Sequence, residues 1–287
     1  MKGPILVLST LLLLAGCAPQ QESANDQPTV FVSIRPQAGI LKALVRDDVE
    51  VRTLVGEGQS PHAYEPTARQ LAALGGADVL FTVGVPFEQA LLKKIRPLYP
   101  DLPIVAADAR IVKRAVADGH VCTDHAHDHG APDPHVWLSP EPARIIAENM
   151  FAYLQDQGLA DAQKYEAYIA SLEELQHELE TRLAPYKAQR FYVFHPSFGY
   201  FADAYGLVQV AIELDGKSPS PRQLADLIEM AQVDGVKVIF VQKQFPVESA
   251  TAVANAIGGE VVQLDPLAED VTANLRRIAE AIASSYE

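Results

Sequence analysis

Short apolar runs rich in β-branched residues alternate along the chain with segments whose apolar residues recur every three or four positions. The first half predicts strands and helices at Thr29–Ile34, Gln37–Leu44, Val49–Val55, Thr67–Leu74, Asp78–Val83, Pro86–Ile95, Pro103–Ala106 and Pro140–Gln157. The second half predicts them at Phe191–Phe194, Val208–Ile212, Pro221–Ala231, Val236–Val241, Val247–Ile257, Glu260–Leu264 and Glu269–Ser284. This alternation is typical of α/β folds with parallel sheets, and we predict one such sheet, flanked by helices, in each half.

One long helical segment separates the two halves, from Asp161 to about Tyr186. Its apolar residues recur at helical spacing on one face, at Tyr165, Tyr168, Ile169, Leu172, Leu175, Leu179 and Leu183. A helix of about 25 residues spans nearly 40 Å, which is long enough to connect two lobes. We therefore predict a lobe over 29–160, a linking helix over 161–187 and a second lobe over 188–287; a plain surface helix is the alternative for the middle segment.

The amino terminus has the pattern of a secretory signal, with Lys2 before an apolar run that ends at Leu14. That run is too short for a stable transmembrane helix. Leu14-Ala-Gly-Cys17 resembles the bacterial lipobox. We predict a signal peptide over 1–16, acylation of Cys17 and a flexible tether over 17–28, hence an extracytoplasmic lipoprotein anchored in the membrane, periplasmic or on the cell surface. The alternative is an ordinary signal peptide with an incidental cysteine.

The formal net charge of −14 limits the classes of ligand that we expect the protein to bind. It disfavours nucleic acid and anionic lipid surfaces as ligands and favours cations. If Cys17 carries lipid, Cys122 is left alone and no internal disulfide forms. We expect a monomer stabilised by its apolar core.

Three histidines lie beside prolines where apolar stretches meet loops. They are His62 in Ser-Pro-His, His135 in Asp-Pro-His and His195 in Phe-His-Pro. Asp265 directly follows the last predicted strand. Ligands of open α/β sheets lie beyond the carboxyl ends of strands, and imidazole suits zinc, so these residues predict a metal site. Any one histidine alone is more often a satisfied polar group, and Asp265 has two alternative roles, as a helix cap or as the group that orients a histidine ring.

A second candidate metal site lies in the loop over Asp118–Pro134, which has no apolar period. Its possible ligands are His120, Cys122, His125, His127 and His129. Such a loop binds zinc weakly and exchanges it rapidly, which would let it collect ions for the main site. The alternative is a solvated loop without function.

The chain resembles the zinc and manganese group of solute-binding lipoproteins of bacterial ABC importers, which are ZnuA-like and TroA-like. The resemblance rests on five segments in series, Gly58–Pro66, Asp133–Pro140, Phe194–Gly206, Gly216–Pro221 and Leu264–Ala268. It implies two α/β lobes joined by one long helix, with one metal ion between them. His62 and His135 from the first lobe and His195 and Asp265 from the second would bind the ion, which the protein would deliver to a membrane permease.

One departure from the family concerns the segment after the strand that ends near Val241. Relatives often have Glu-Pro-Gln-Phe there, and this chain has Gln242-Lys-Gln-Phe245. The missing carboxylate argues against a role of this position in assisting the metal.

Three imidazoles and one carboxylate favour zinc over manganese, because manganese prefers harder oxygen ligands. A manganese- or iron-binding homologue is the alternative within the family. Two other classes of protein are alternatives, a zinc hydrolase and a surface adhesin. A zinc hydrolase would need an open coordination position and a general base, and no His-Glu-x-x-His motif is present. A surface adhesin would fit a lipid-anchored protein, although no adhesive face can be identified.

Overall fold

A computed structural model describes residues 27–116, 132–213, 219–245 and 247–287 of the chain. The first half contains β1 (Thr29–Val32), α1 (Arg35–Lys42), β2 (Glu50–Thr53), α2 (Ala68–Leu74), β3 (Val79–Thr82), α3 (Phe87–Leu98), β4 (Ile104–Ala106) and α4 (Pro140–Asp156). The second half contains α5 (Ala162–Leu183), β5 (Arg190–Val193), α6 (Gly199–Tyr205), β6 (Val208–Ala211), α7 (Pro221–Val233), β7 (Val238–Gln242), α8 (Glu248–Ile257), β8 (Glu260–Leu264) and α9 (Val271–Ser284).

Each half builds one four-stranded parallel sheet, and the two sheets have equivalent topologies. The first has the order β2-β1-β3-β4, and the second has the order β6-β5-β7-β8. In both, the first strand of the half lies at the centre, between the second and the third. The predicted α/β fold with two parallel sheets is confirmed.

The long helix α5 separates the two sheets along the chain. Asp161 caps its amino terminus by accepting hydrogen bonds from the backbone amides of Gln163 and Lys164. A short 3-10 segment, Ala184–Tyr186, follows its last turn. The predicted joining helix is therefore confirmed, and its buried face consists of Leu172, Leu175, Leu179 and Leu183. Arg276 of α9 pairs with Glu178 of α5 at 2.7 Å, so the last helix of the chain packs against the joining helix.

One apolar core extends through both halves of the molecule. It contains residues of the first sheet, of α4 and α5, of the start of the second sheet and of α9. A separate cluster packs the other side of the second sheet, with Ile239 and Val241 against Val253. Because the interface between the lobes belongs to a continuous core, large relative movements of the lobes would expose apolar surface.

The structure differs from the sequence prediction mainly around the ligand loops. A 3-10 turn at Val136–Leu138 directly follows His135, and helix α6 begins four residues after His195; the sequence pattern predicts neither. Both are too short for an apolar period to show, and Pro196 and Gly199 interrupt the sequence pattern at α6. Within the described ranges, no helix is both long enough and apolar enough to cross a membrane.

Candidate metal centre

His62, His135 and His195 come together in space although 133 positions of sequence separate the first from the last. Their ligand nitrogens all lie within 4.8 Å of one another. The ring centroids are 4.6 Å apart for His62 and His195, 5.2 Å for His135 and His195, and 5.7 Å for His62 and His135. Nitrogens bound to one tetrahedral zinc ion at 2.0–2.1 Å stand about 3.3 Å apart, so small side-chain movements complete such a site.

His62 is carried by the loop after β2. The side-chain oxygen of Gln59 accepts a hydrogen bond from the amide of Gly56, and the Ser60 hydroxyl accepts one from the amide of His62. Farther along, the Tyr64 hydroxyl donates to the carbonyl of Leu54 at 2.5 Å. These local bonds hold the loop back against the end of its strand, which places His62 over the two buried histidines.

His135 is fixed by the aspartate two residues before it. One carboxylate oxygen of Asp133 accepts the backbone amide of His135 at 3.0 Å and lies 2.8 Å from the ring Nδ1. A carboxylate only accepts hydrogen bonds, so Nδ1 carries the proton and Nε2 presents its lone pair to the cavity. This is the arrangement that orients a histidine for metal binding.

His195 is held in the same way by a residue distant in sequence. Its Nδ1 lies 2.5 Å from a carboxylate oxygen of Glu213, which follows β6. Gln242 supports the backbone of His195, accepting from its amide at 3.1 Å and donating to its carbonyl. The Nε2 atom of His195 is buried without a hydrogen-bond partner among the described residues. A buried nitrogen without a partner is costly, and a metal ion would satisfy it.

Burial favours the neutral forms of His62 and His135. Burial of the His62 ring against its neighbours, reinforced by repulsion from His195 and His135, lowers the pKa of His62 to about 3. Burial also lowers the pKa of His135, against the opposing attraction of Asp133. Although burial disfavours the charged carboxylate, hydrogen bonds from His135 and Arg114 keep the pKa of Asp133 below its usual value. Neutral imidazoles are the form that binds a metal ion.

Asp265 is hydrogen-bonded to Gln244, which lines the cavity, but it lies outside the group of mutually close ligand atoms found in the described part of the chain. One carboxylate oxygen accepts from the side chain of Gln244 at 3.1 Å and from the amide of Leu267 at 3.0 Å. The other oxygen lies 3.6 Å from Nζ of Lys243. Asp265 does not cap α9, because Asp270 does. Its role as the fourth ligand stays a prediction.

The cavity between the histidines is small, with a volume of about 20 Å³. Phe245 stacks on the ring of His195 at 4.7 Å, and Trp137 packs edge-on against His135. The Trp137 indole also donates to the carbonyl of Pro266 at 2.7 Å, which joins the two lobes beside the site. This volume is sufficient for an ion with a water molecule.

Two predicted features cannot be placed, because Cys17 and the residues His120, Cys122, His125, His127 and His129 lie outside the described residues. The supporting roles of Asp133, Glu213 and Gln242 were not predicted from the sequence. For Asp133, its position two residues before His135 in Asp133-Pro-His135 was a local signal that could have identified it. The Glu213 contact follows from the pairing of β5 with β6. For Gln242, the missing carboxylate argued against a role in assisting the metal, and the structure shows its amide supporting the backbone of His195.

Comparison with known proteins agrees with this geometry. Residues 30–284 match the model of the family described as ZnuA, zinc-uptake complex component A, periplasmic. The chain belongs to this family. The TroA-like architecture implied by the resemblance is thereby confirmed. The family is one of transport binding proteins and not of enzymes.

Individual relatives of the chain are zinc-binding or zinc-uptake proteins by name. The chain is 28% identical to the high-affinity zinc uptake system protein ZnuA of Bacillus subtilis, over 92% of this chain and 88% of that protein. It is also 28% identical to the zinc-binding lipoprotein AdcA of Streptococcus pneumoniae, where it covers 93% of its own length but 56%, about half, of the relative. A crystal structure of ZnuA matches with a TM-score of 0.82 and 35% identity, over 91% of this chain and all of that one.

Proposed function

We propose that the protein binds zinc outside the cytoplasm and delivers it to an ABC import permease. The convergence of three imidazoles, two of them fixed by carboxylates, around a cavity of ion size carries this proposal. The chemistry of the site agrees with the zinc-uptake family to which the chain belongs.

The proposed ligands are Nε2 of His135, Nε2 of His195 and one ring nitrogen of His62, with Asp265 as the fourth. Asp265 would reach the ion by giving up its contacts to Gln244 and Lys243. A set of three nitrogens and one oxygen suits tetrahedral zinc, whereas manganese prefers more oxygen ligands and a higher coordination number. Zinc is therefore the proposed cargo, and manganese or iron is the alternative.

The hydrolase alternative is disfavoured by the family, which is one of transport binding proteins, and by the chemistry of the site. The carboxylates Asp133 and Glu213 are both engaged by histidine Nδ1 atoms, so neither is available as a general base. The adhesin alternative stays an untested prediction.

We further propose that acylation of Cys17 tethers the protein to the membrane through residues 17–28, after removal of the signal peptide over 1–16. Lipoproteins among the relatives support this proposal. The lobes over 29–160 and 188–287, joined through 161–187, would then sit near the permease. Detergent extraction and mass measurement should find acyl mass on the mature protein and none on a Cys17→Ala variant; a soluble, unmodified wild type would contradict it.

Isothermal titration with zinc tests the binding function. Wild type should bind one ion tightly, and His195→Ala should lose this event, because it removes a ligand together with the partner of Glu213. His177→Ala is the matched control, since its side chain is exposed on α5 and is not among the residues that line the centre. Equal stoichiometry and affinity in wild type and His195→Ala would contradict the proposal.

A further inference from the structure

Arg114 occupies an unusual position between the metal centre and the second half of the chain. Its guanidinium contacts the carboxylate of Asp133 at 3.1 Å through Nη1 and the carboxylate of Asp203, on α6, at 2.8 Å through Nε. Asp133 is the residue that fixes the ring of His135. A continuous line of hydrogen bonds therefore runs from His135 through Asp133 and Arg114 to the second half.

Tyr200, also on α6, reinforces this line. Its hydroxyl donates to the carbonyl of Asp133 at 3.0 Å and accepts the backbone amide of Arg114 at 3.2 Å. The guanidinium carbon lies 6.0 Å from the centre of the Tyr200 ring. The backbone segments that carry Arg114 and Asp133 are also bonded to each other, because the amide of Asp133 donates to the carbonyl of Arg114 at 2.9 Å. Arg114 is thus held by both its backbone and its side chain.

The start of α6 is shaped to admit this arginine. A Cβ atom at Gly199 would lie 1.6 Å from Nη1 of Arg114 and 2.9 Å from the carboxylate of Asp133. Any other residue at position 199 would expel the guanidinium from its place. The backbone angle of Gly199 requires no glycine, so the space for Arg114 is the physical reason for one at this position.

The ion pairs of Arg114 with Asp133 and with Asp203 contribute unequally to stability. The side chain of Asp133 is fully buried, and that of Arg114 is 21% exposed. Removing the arginine would leave a buried carboxylate with one fewer charged partner, which is costly. Asp203 is 62% exposed, and an exposed pair contributes much less. The buried contact therefore dominates the effect on the metal centre, and the exposed contact links it to α6.

From this arrangement we propose that Arg114 is a positioning residue of the metal centre, which couples the orientation of His135 to the contact between the two lobes. Arg114 does not touch the ion. It holds Asp133 so that the ring of His135 points its Nε2 into the cavity, and it does so only while α6 is docked. Metal affinity thereby depends on how the lobes fit together. This proposal rests on the proposed zinc-binding function.

The test compares zinc binding by wild type, Arg114→Gln and Arg110→Gln. Arg110 is a matched control on the same segment, because it pairs with Glu148 and Asn149 inside the first half and touches no residue of the site. Groups that orient a metal-binding histidine typically change affinity 10–100-fold. We expect Arg114→Gln to weaken zinc binding at least about tenfold and to speed zinc dissociation, and Arg110→Gln to change neither.

Two readouts separate positioning from a general loss of stability. The visible spectrum of the cobalt-loaded protein reports ligand geometry and should change in Arg114→Gln only. Nitrogen NMR of the His135 ring should show Nδ1 protonated in wild type and a mixture of tautomers in the variant. Zinc affinity within twofold of wild type, with an unchanged cobalt spectrum, would overturn the proposal.

The link between the lobes has its own test, which uses an exposed side chain and so avoids a folding failure. Asp203→Asn should weaken zinc binding by up to about fivefold, the range of an exposed ion pair. In the Arg114→Gln background the same change should have no further effect, because the two residues act in one line. An undiminished effect in that background, or none in wild type, would overturn the link. Failure of wild type to bind zinc would instead contradict the proposed function.

Discussion

At the scale of single residues, the metal centre depends on carboxylates that do not face the ion. Asp133 and Glu213 each accept from Nδ1 of one histidine, and both are buried. They set which nitrogen of the ring carries the proton and in which direction the lone pair points. The ring of His62 packs against the rings of His135 and His195, although the residue as a whole is more exposed than they are, and no side-chain hydrogen bond to a carboxylate orients it among the described residues. The site thus combines two fixed ligands with one that is positioned by its loop.

Replacing Glu213 by glutamine should lower zinc affinity about tenfold while leaving the stoichiometry at one ion. The amide still contacts His195 but no longer accepts from it as a charged group, so the ring is less strongly oriented. Competition with a fluorescent zinc chelator measures the change. Glu248→Gln, on the exposed start of α8, is the control. Equal affinities of Glu213→Gln and wild type would show that the contact does not orient the ligand.

Acidification should destabilise the metal-free protein through its neutral histidines. The pKa of His62 is lowered to about 3 in the folded state, and that of His135 is lowered too, whereas both approach 6.5 on unfolding. Between these values the unfolded chain binds more protons, so stability falls as pH falls from 6.5 towards 3. Burial raises the pKa of Glu88 to about 7, which acts in the opposite direction.

Comparison of two proteins isolates the histidine contribution, because Glu88 is common to both. The melting temperature of metal-free wild type should drop more steeply between pH 6.5 and pH 4 than that of His62→Asn. Parallel curves for the two proteins would contradict the lowered pKa of His62.

At the scale of elements, the sequence predicts strands and helices well because their residue patterns are local. The apolar β-branched runs of β3 and β7 and the glutamine-supported cap at Thr67 are readable without the fold. Helix α6 cannot be predicted from the sequence, because its seven residues between Pro196 and Gly206 are too few to show an apolar period. The role of Glu213 cannot be predicted for another reason. Its contact with His195 depends on which strand pairs with β5, and that is a property of the assembled sheet.

Helix α1 approaches the segment before α9 closely at Gly39. A Cβ atom at Gly39 would lie 1.8 Å from the backbone oxygen of Glu269, so Gly39→Ala forces the two elements apart. We expect a loss of about 1–3 kcal/mol in the free energy of unfolding, measured by urea denaturation. Gly76→Ala is the control, since its Cβ would meet only an ordinary contact at 4.0 Å. A Gly39→Ala variant as stable as wild type would contradict this packing.

At the scale of the whole molecule, the two sheets are joined in three ways. The chain passes through α5, the apolar core is continuous between the halves, and Trp137 and Arg114 form polar contacts across the interface near the metal centre. A continuous core opposes wide opening of the cleft. Metal uptake and release should therefore proceed by small movements of the ligand loops, with the lobes nearly fixed.

Solution scattering measures this directly. The radius of gyration of metal-free and zinc-loaded protein should agree to within about 1 Å, against roughly 19 Å for a compact chain of this length. Trp137 fluorescence should nevertheless change on zinc binding, because its ring contacts His135. A contraction of several ångströms would contradict the limited movement inferred from the core.

One zinc ion should bind between the two halves through side chains of both. Anomalous diffraction at the zinc absorption edge, from crystals of zinc-loaded protein, locates this ion. We predict a single strong peak within about 2.2 Å of a nitrogen of His62, His135 and His195, with an oxygen of Asp265 completing the tetrahedron. A peak elsewhere, or one bound by residues of only one half, would contradict it.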